Sequence, residues 1–221
     1  MGEKTIPTLV ALTKDKTIHA RCRLLAGKIL GKLSLSDLKA NLFPIIKIEI
    51  EKAYFYFYHW QTVQMQLPEQ DLFILENTLL AGYESVMDFI VQLLGVAGSI
   101  EESEVLSHTL RSKNKKIQAQ ALETIEKTCD PHIFSLLAPL INNKRPEEKM
   151  HDYLKGGRIP LNFSQLLEVL VHSPILAEQI VAITMKARLG APGWRRALEE
   201  RMQNNEKTFQ NFANQLLEAE V

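Results

Sequence analysis

The sequence predicts an all-α fold, a series of stacked antiparallel helical hairpins with a C-terminal helical extension. Three observations predict it. Apolar residues recur at steps of three and four along most of the 221 residues, the spacing that lines one face of a helix. Capping side chains, prolines and a glycine stand at the ends of those stripes. Only one segment alternates with period two, and a lone strand would leave its backbone groups without partners.

Taken in order, the first helix is expected near 5–13. The second, near 16–33, carries the stripe Ile18, Cys22, Leu25, Ile29 and Leu33. The third, near 35–65 and bent at Pro44, has the stripe Ile46, Ile50, Ala53, Phe57 and Trp60. Within it "IKIEIE" and "YFYFYHW" also have strand character, so a strand over 45–60 is the competing reading. The fourth helix, near 69–97, has the longest stripe: Leu72, Leu75, Leu79, Tyr83, Val86, Ile90, Leu93 and Ala97.

Further helices are expected near 100–111, 114–128, 131–142, 147–154, 163–172, 174–189 and 193–219. Ser99 with Glu102 has the S-x-x-E form of a capping box. Asp130-Pro131 and Ser173-Pro174 each set a capping side chain before a proline that suits the first helical turn. Gly190 stands where a left-handed C-terminal cap belongs, with Lys186 and Arg188 in the preceding turn. The polar, Gly- and Pro-bearing stretch 142–162 marks a division into a helical array, 1–145, and an extension packing on it, 146–221.

A weak internal repeat runs through the array. "HARCRLLAGKILGKLSLSDLKANLFPII" and "QAQALETIEKTCDPHIFSLLAPLI" share a first helix rich in small residues, a corner, and then "LFPII" against "LAPLI". Each hairpin has an apolar face it cannot bury alone, so hairpins stack and share a core. The stretch 104–141, "EVLSHTLRSKNKKIQAQALETIEKTCDPHIFSLLAPLI", resembles a HEAT repeat followed by its partner helix. With "LLAGYESVMDFIVQLLGV" before it, the chain is similar over 16–145 to a soluble HEAT-repeat region of bacterial proteins. In those proteins the region lies beside a transporter-like membrane portion of major-facilitator or nucleotide-carrier type, sometimes with a cyclic-nucleotide-binding domain. The chain departs from that pattern at Gln118 and Gln120, where such repeats often carry arginine. The resemblance implies a HEAT-like α-solenoid and, as an alternative function, a cytoplasmic regulatory region of a membrane transporter or cyclic-nucleotide-responsive protein.

Composition narrows the function. Lys plus Arg and Asp plus Glu balance at 26 each, which weighs against nucleic acid as a partner. Cys22 and Cys129 have no metal-ligand spacing and are expected as two buried, reduced thiols in the cytoplasm. No signal peptide is evident, and Ile6 stands where a myristoylation pattern after Gly2 needs Ser or Thr. "VMDFIVQLLGVAG" is too short to span a bilayer and contains Asp88, so no transmembrane segment is expected.

Catalytic patterns are missing from the sequence. "GKILGK" is one residue short of a phosphate-binding loop, has Leu33 at the magnesium-binding position, and lies in a helical stripe. Gly27 and Gly31 are better explained by close approach of another helix. No His pair has zinc-site spacing, and His151 and Asp152 beside Glu147 and Glu148 read as a solvated helix end. His59 reads as a packing residue with one nitrogen satisfied. Glu101, Glu102 and Glu104 suit the first turn of a helix, where the dipole favours negative charge. No cofactor, metal or catalytic residue is assigned.

Three features remain for recognition. Tyr54, Phe55, Tyr56, Phe57, Tyr58 and Trp60 go all the way round a helix, so some of those rings leave the core. Arg111, Lys113, Lys115 and Lys116 crowd the entry to the sixth helix, and Lys186, Arg188, Arg195 and Arg196 bracket "LGAPGW". The expected function is a non-enzymatic, cytoplasmic protein-interaction scaffold. Its partner is a protein, held by Tyr54, Tyr56, Phe57, Tyr58 and Trp60 with a charged rim at Arg111, Lys113, Lys115 and Lys116. A membrane-associated context belongs to the alternative.

Overall fold

The computed structural model describes residues 3–68, 70–110, 112, 114–142, 144–202 and 207–218. The described residues form a 3-10 turn, Glu3–Thr5, and helices α1 (Ile6–Lys14), α2 (Ala20–Leu33), α3 (Leu35–Gln66), α4 (Phe73–Val96), α5 (Ser103–Leu110) and α6 (Lys115–Thr128). They continue with α7 (Pro131–Ile141), α8 (Pro146–Lys155), α9 (Phe163–Val171), α10 (Leu176–Arg188), α11 (Trp194–Met202) and α12 (Lys207–Glu218). The protein is all-α, and among the described residues there is no strand. The competing strand over 45–60 is helix: Ile46, Ile50 and Ala53 form a fully buried stripe on α3. Pro44 lies inside α3, where its ring leaves the Ala40 carbonyl without the usual helical donor.

Two compact units emerge from the contacts. The first comprises residues 1–61 with 80–159, the second residues 62–79 with 160–221. The sequence division at 145 falls within the first unit.

In the first unit α1 packs on α2, α5 on α6, α6 on α7 and α7 on α8. The α4 residues Phe89, Ile90, Val91, Leu93 and Leu94 are buried. By length and mean hydropathy of 1.4, α4 is long and apolar enough to cross a membrane, longer than the apolar run read from the sequence, and 44% of that stretch is buried within the protein. A Cβ on Gly27 would lie 2.8 Å from Leu93 Cδ1, and one on Gly31 would lie 2.9 Å from Val96 Cγ1. The two glycines therefore let α2 meet α4, and "GKILGK" is helix interior rather than phosphate loop.

In the second unit α10 packs on α9, α11 and α12. Leu166, Leu170, Ala182, Ile183, Leu198 and Phe209 are fully or nearly fully buried there. The helix expected over 193–219 is described as α11 and α12, with residues 203–206 outside the described set.

Several boundaries move for identifiable reasons. The helix expected from 16 starts at Ala20, with His19 as its cap: Nδ1 accepts from the Arg21 N–H at 3.2 Å. The Ser99–Glu102 capping box does not form. Gly98, at φ 71°, ends α4, and the Gly98 and Ser99 N–H groups donate to Gly95 and Leu94 carbonyls at 2.9 Å each. Ser99 thus closes α4 in a Schellman motif, and α5 starts only at Ser103, so Glu101 and Glu102 precede its first turn. Ser173 accepts from the Ile175 N–H at 3.0 Å, and α10 begins at Leu176 rather than 174. Asp130 and Gly190 act as expected. Asp130 accepts from the N–H groups of His132 and Ile133, and Gly190, at φ 61°, donates to Ala187.

Candidate functional site

The aromatic segment of α3 points in several directions, because successive residues on a helix are about 100° apart. Tyr54 and Tyr58, four residues apart, meet α8: Tyr58 stacks on Tyr153 at 4.3 Å between centroids, and Tyr54 lies 6.4 Å from it. Arg158 closes that side. Its guanidinium sits 3.9 Å over the Tyr54 ring and grips Glu51 with two bonds of 2.6 and 2.7 Å. Burial pushes the Tyr54 hydroxyl up to about 12. Tyr56 is buried over Gly82, where a Cβ would lie 2.7 Å from the ring. His59 is fully buried beside Phe55 and Tyr58, 4.8 and 5.3 Å away. Among the described residues neither ring nitrogen has a hydrogen-bond partner, so the single satisfied nitrogen expected from sequence is not found there. Burial alone lowers its pKa to about 4.

Phe57 and Trp60 line a cleft of about 220 Å³ with residues from α4 to α8. Phe57 is buried, 5.6 Å from the Tyr83 ring and 6.0 Å from Trp60, which remains half-buried. Met87, Val91, Leu110 and Leu140 complete the apolar wall. The polar groups are few: Glu84, Ser107, Gln118, Asn142 and Lys149. Gln118 donates to the Leu110 carbonyl at 3.2 Å, fixing α6 against the end of α5.

Lys149 is the cation of this cleft. Its Nζ donates to the Leu140 carbonyl at 2.8 Å and stands 5.6 Å from the Phe57 centroid. Leu140 is in the last turn of α7, where carbonyls lack helical donors and the dipole favours a cation. Tyr83 donates to the same carbonyl at 3.4 Å. Burial alone lowers the Lys149 pKa to about 8, and no ion pair joins it to Glu84, the carboxylate lining the same cleft, among the described residues.

The expected partner-binding residues are thus distributed. Tyr54, Tyr56 and Phe57 are buried within the chain, while Tyr58 and Trp60 are half-buried. Lys115 and Lys116 are exposed in the first turn of α6, one turn before Gln118. Arg111 and Lys113 lie outside the described residues. The second basic cluster is not a single surface: Lys186 is buried and paired with Glu168, while Arg188, Arg195 and Arg196 are exposed.

Sequence reasoning missed Lys149, which stands in a polar stretch without an apolar stripe to mark it. It also missed Arg23. Arg23 and Glu49 form an ion pair of 2.8 Å with side chains 3% and 2% exposed. Arg23 Nε also donates to the Thr13 carbonyl at 3.1 Å, and the guanidinium lies 4.4 Å over the Phe89 ring. One side chain therefore ties α1, α2, α3 and α4. The available signal was position: Arg23 shares a helix face with Ala26 and Leu30, and Glu49 stands between Ile46 and Ile50. Among the described residues no group of three His, Cys, Asp or Glu could hold a metal ion.

Comparison with protein-family models, curated proteins and solved structures finds no match to this chain.

Proposed function

We propose that the protein is a non-enzymatic, cytoplasmic interaction scaffold, and that its helical hairpins stack in the HEAT-like manner. Consecutive packing of α5, α6, α7 and α8 supports the stacking, because a solenoid builds from nearest neighbours. The observation that carries the function is the cleft floored by Phe57 and Trp60. It has a mainly apolar wall and one amine, Lys149, without a carboxylate partner among the described residues. A cavity of about 220 Å³ suits an anchoring side chain or two of a partner rather than an extended substrate. The occupant is a protein segment with an aromatic or aliphatic anchor and an adjacent carboxylate, the anchor resting on Trp60 and the carboxylate meeting Lys149. Exposed Lys115 and Lys116 extend the positive rim.

The test has two arms. Partners retained by the wild-type protein from native lysate are identified, and the same capture is repeated with Trp60→Ala and Lys149→Gln. The specific partner is lost from both variants while their melting temperatures stay close to wild type. In parallel, Lys149, with its pKa near 8, is acylated ahead of exposed lysines at mildly alkaline pH, and the partner protects it. Equal capture by all three proteins, or acylation of Lys149 undiminished by the bound partner, removes the cleft as the docking site.

A further inference from the structure

The face of α2 that its apolar stripe predicts to be buried is on the outside. The buried positions of α2 are Arg23, Ala26, Gly27 and Leu30. Cys22, Leu25, Ile29 and Leu33 are exposed, Leu25 by 58%, Ile29 by 41% and Leu33 by 48%. These four recur at helical spacing and form one ridge along a helix about 20 Å long. Arg21, Lys28 and Lys32 form a second ridge directly beside it. The helix contains no acidic residue, and its fourth cation, Arg23, is already neutralised by Glu49. Residues 1–52 hold ten Lys and Arg against five Asp and Glu, whereas the remainder holds sixteen against twenty-one. The neutral whole thus hides a basic N-terminal segment.

An apolar ridge flanked by long cationic side chains is the pattern of a helix lying in a membrane interface. The apolar side chains enter below the headgroups, and the lysine and arginine stems reach out to the phosphates. We infer that this outward face of α2 docks the protein on a bilayer surface bearing anionic lipid headgroups. A second copy of the chain is a poorer occupant, because a two-fold contact sets the cationic ridge against itself. A folded acidic protein is poorer too, because the groove beside the ridge, bordered by Arg21 and Leu24, is walled by the carboxylates Glu84 and Asp88. One acidic neighbour holds the ridge only loosely: Glu104 lies 3.7 Å from Lys28 Nζ between exposed groups.

The experiment is cosedimentation of the full chain with phosphatidylcholine vesicles, with and without phosphatidylserine. Binding is expected only with phosphatidylserine, and it weakens as chloride rises. Lys28→Glu with Lys32→Glu, and separately Leu25→Ser with Ile29→Ser, each lower the vesicle partition by at least about tenfold while the thermal melt is retained. Glu104→Gln raises it. Trp60→Ala binds vesicles as wild type does, which separates this surface from the cleft. The inference is overturned by equal binding to neutral vesicles, by no binding to either kind, or by unchanged binding of the folded variants. Displacement by inorganic phosphate beyond that by chloride of equal ionic strength also overturns it, as does loss of a captured acidic protein in these variants without any vesicle binding.

Discussion

His59 sits fully buried, with both ring nitrogens unpartnered among the described residues, and burial disfavours its charged form. Its folded pKa of about 4 lies below the unfolded value of 6.5. Below pH 6.5 the unfolded chain takes up a proton that the folded chain refuses. Stability present above pH 6.5 is therefore lost as the pH falls toward 4, by about 3 kcal/mol in all. Urea denaturation at pH 7 and at pH 4.5 reads this slope, and His59→Leu flattens the part that His59 contributes. An equal slope in the variant assigns the acid sensitivity elsewhere. Arg23 shows the opposite solution to the same difficulty, burial with an ion pair to Glu49 and a hydrogen bond to the Thr13 carbonyl. Arg23→Met leaves Glu49 buried and unpaired, a loss of about 3–5 kcal/mol. Adding Glu49→Leu recovers most of it, because an apolar pair of similar volume needs no compensation. A double variant as unstable as Arg23→Met alone contradicts that account. The sequence placed His59 in the packing but not its missing partners, and for Arg23 the signal was only its position on the face of Ala26 and Leu30.

Helix termini were more legible. Asp130 before Pro131 acts as the sequence implies, with its carboxylate accepting two N–H groups at the start of α7. Asp130→Ala lowers stability by about 1 kcal/mol, measurable as a shifted denaturation midpoint with unchanged slope. Ser99 was misread because its hydroxyl fits a capping box, while its backbone N–H was already committed to the end of α4. Gly98 is the residue that decides this corner, and Gly98→Ala at φ 71° costs about 1 kcal/mol or more. Ser99→Ala, by contrast, leaves stability close to wild type, and a large loss there would reinstate the capping box. The stripes of α3 and α4 faced the core as expected. The stripe of α2 did not, and with it Cys22 is exposed while Cys129 is buried. Periodicity identifies an apolar face, but α2 has two, and the one with the smaller side chains, built on Ala26, Gly27 and Leu30, packs inward.

The two compact units are each discontinuous in sequence, and the second takes Leu72, Leu75 and Leu79 from the chain before Leu80. Ending the chain after Ile159 removes α9 to α12 and strips these leucines of their unit. The shortened protein is expected to bind a hydrophobic dye and to self-associate, and a monomer with wild-type melting behaviour would contradict the division. The sequence alone determined the all-α class, the number and rough bounds of most helices, and the lack of any recognisable catalytic motif. Those follow from local spacing and local capping, which need no knowledge of distant neighbours. Only the tertiary structure decided which face of α2 is inside, which rings of the aromatic segment are covered, and where Arg23 and Lys149 find partners. Each of these depends on contacts between residues far apart in the chain, and the choice between two apolar faces is made by how closely a neighbouring helix can approach.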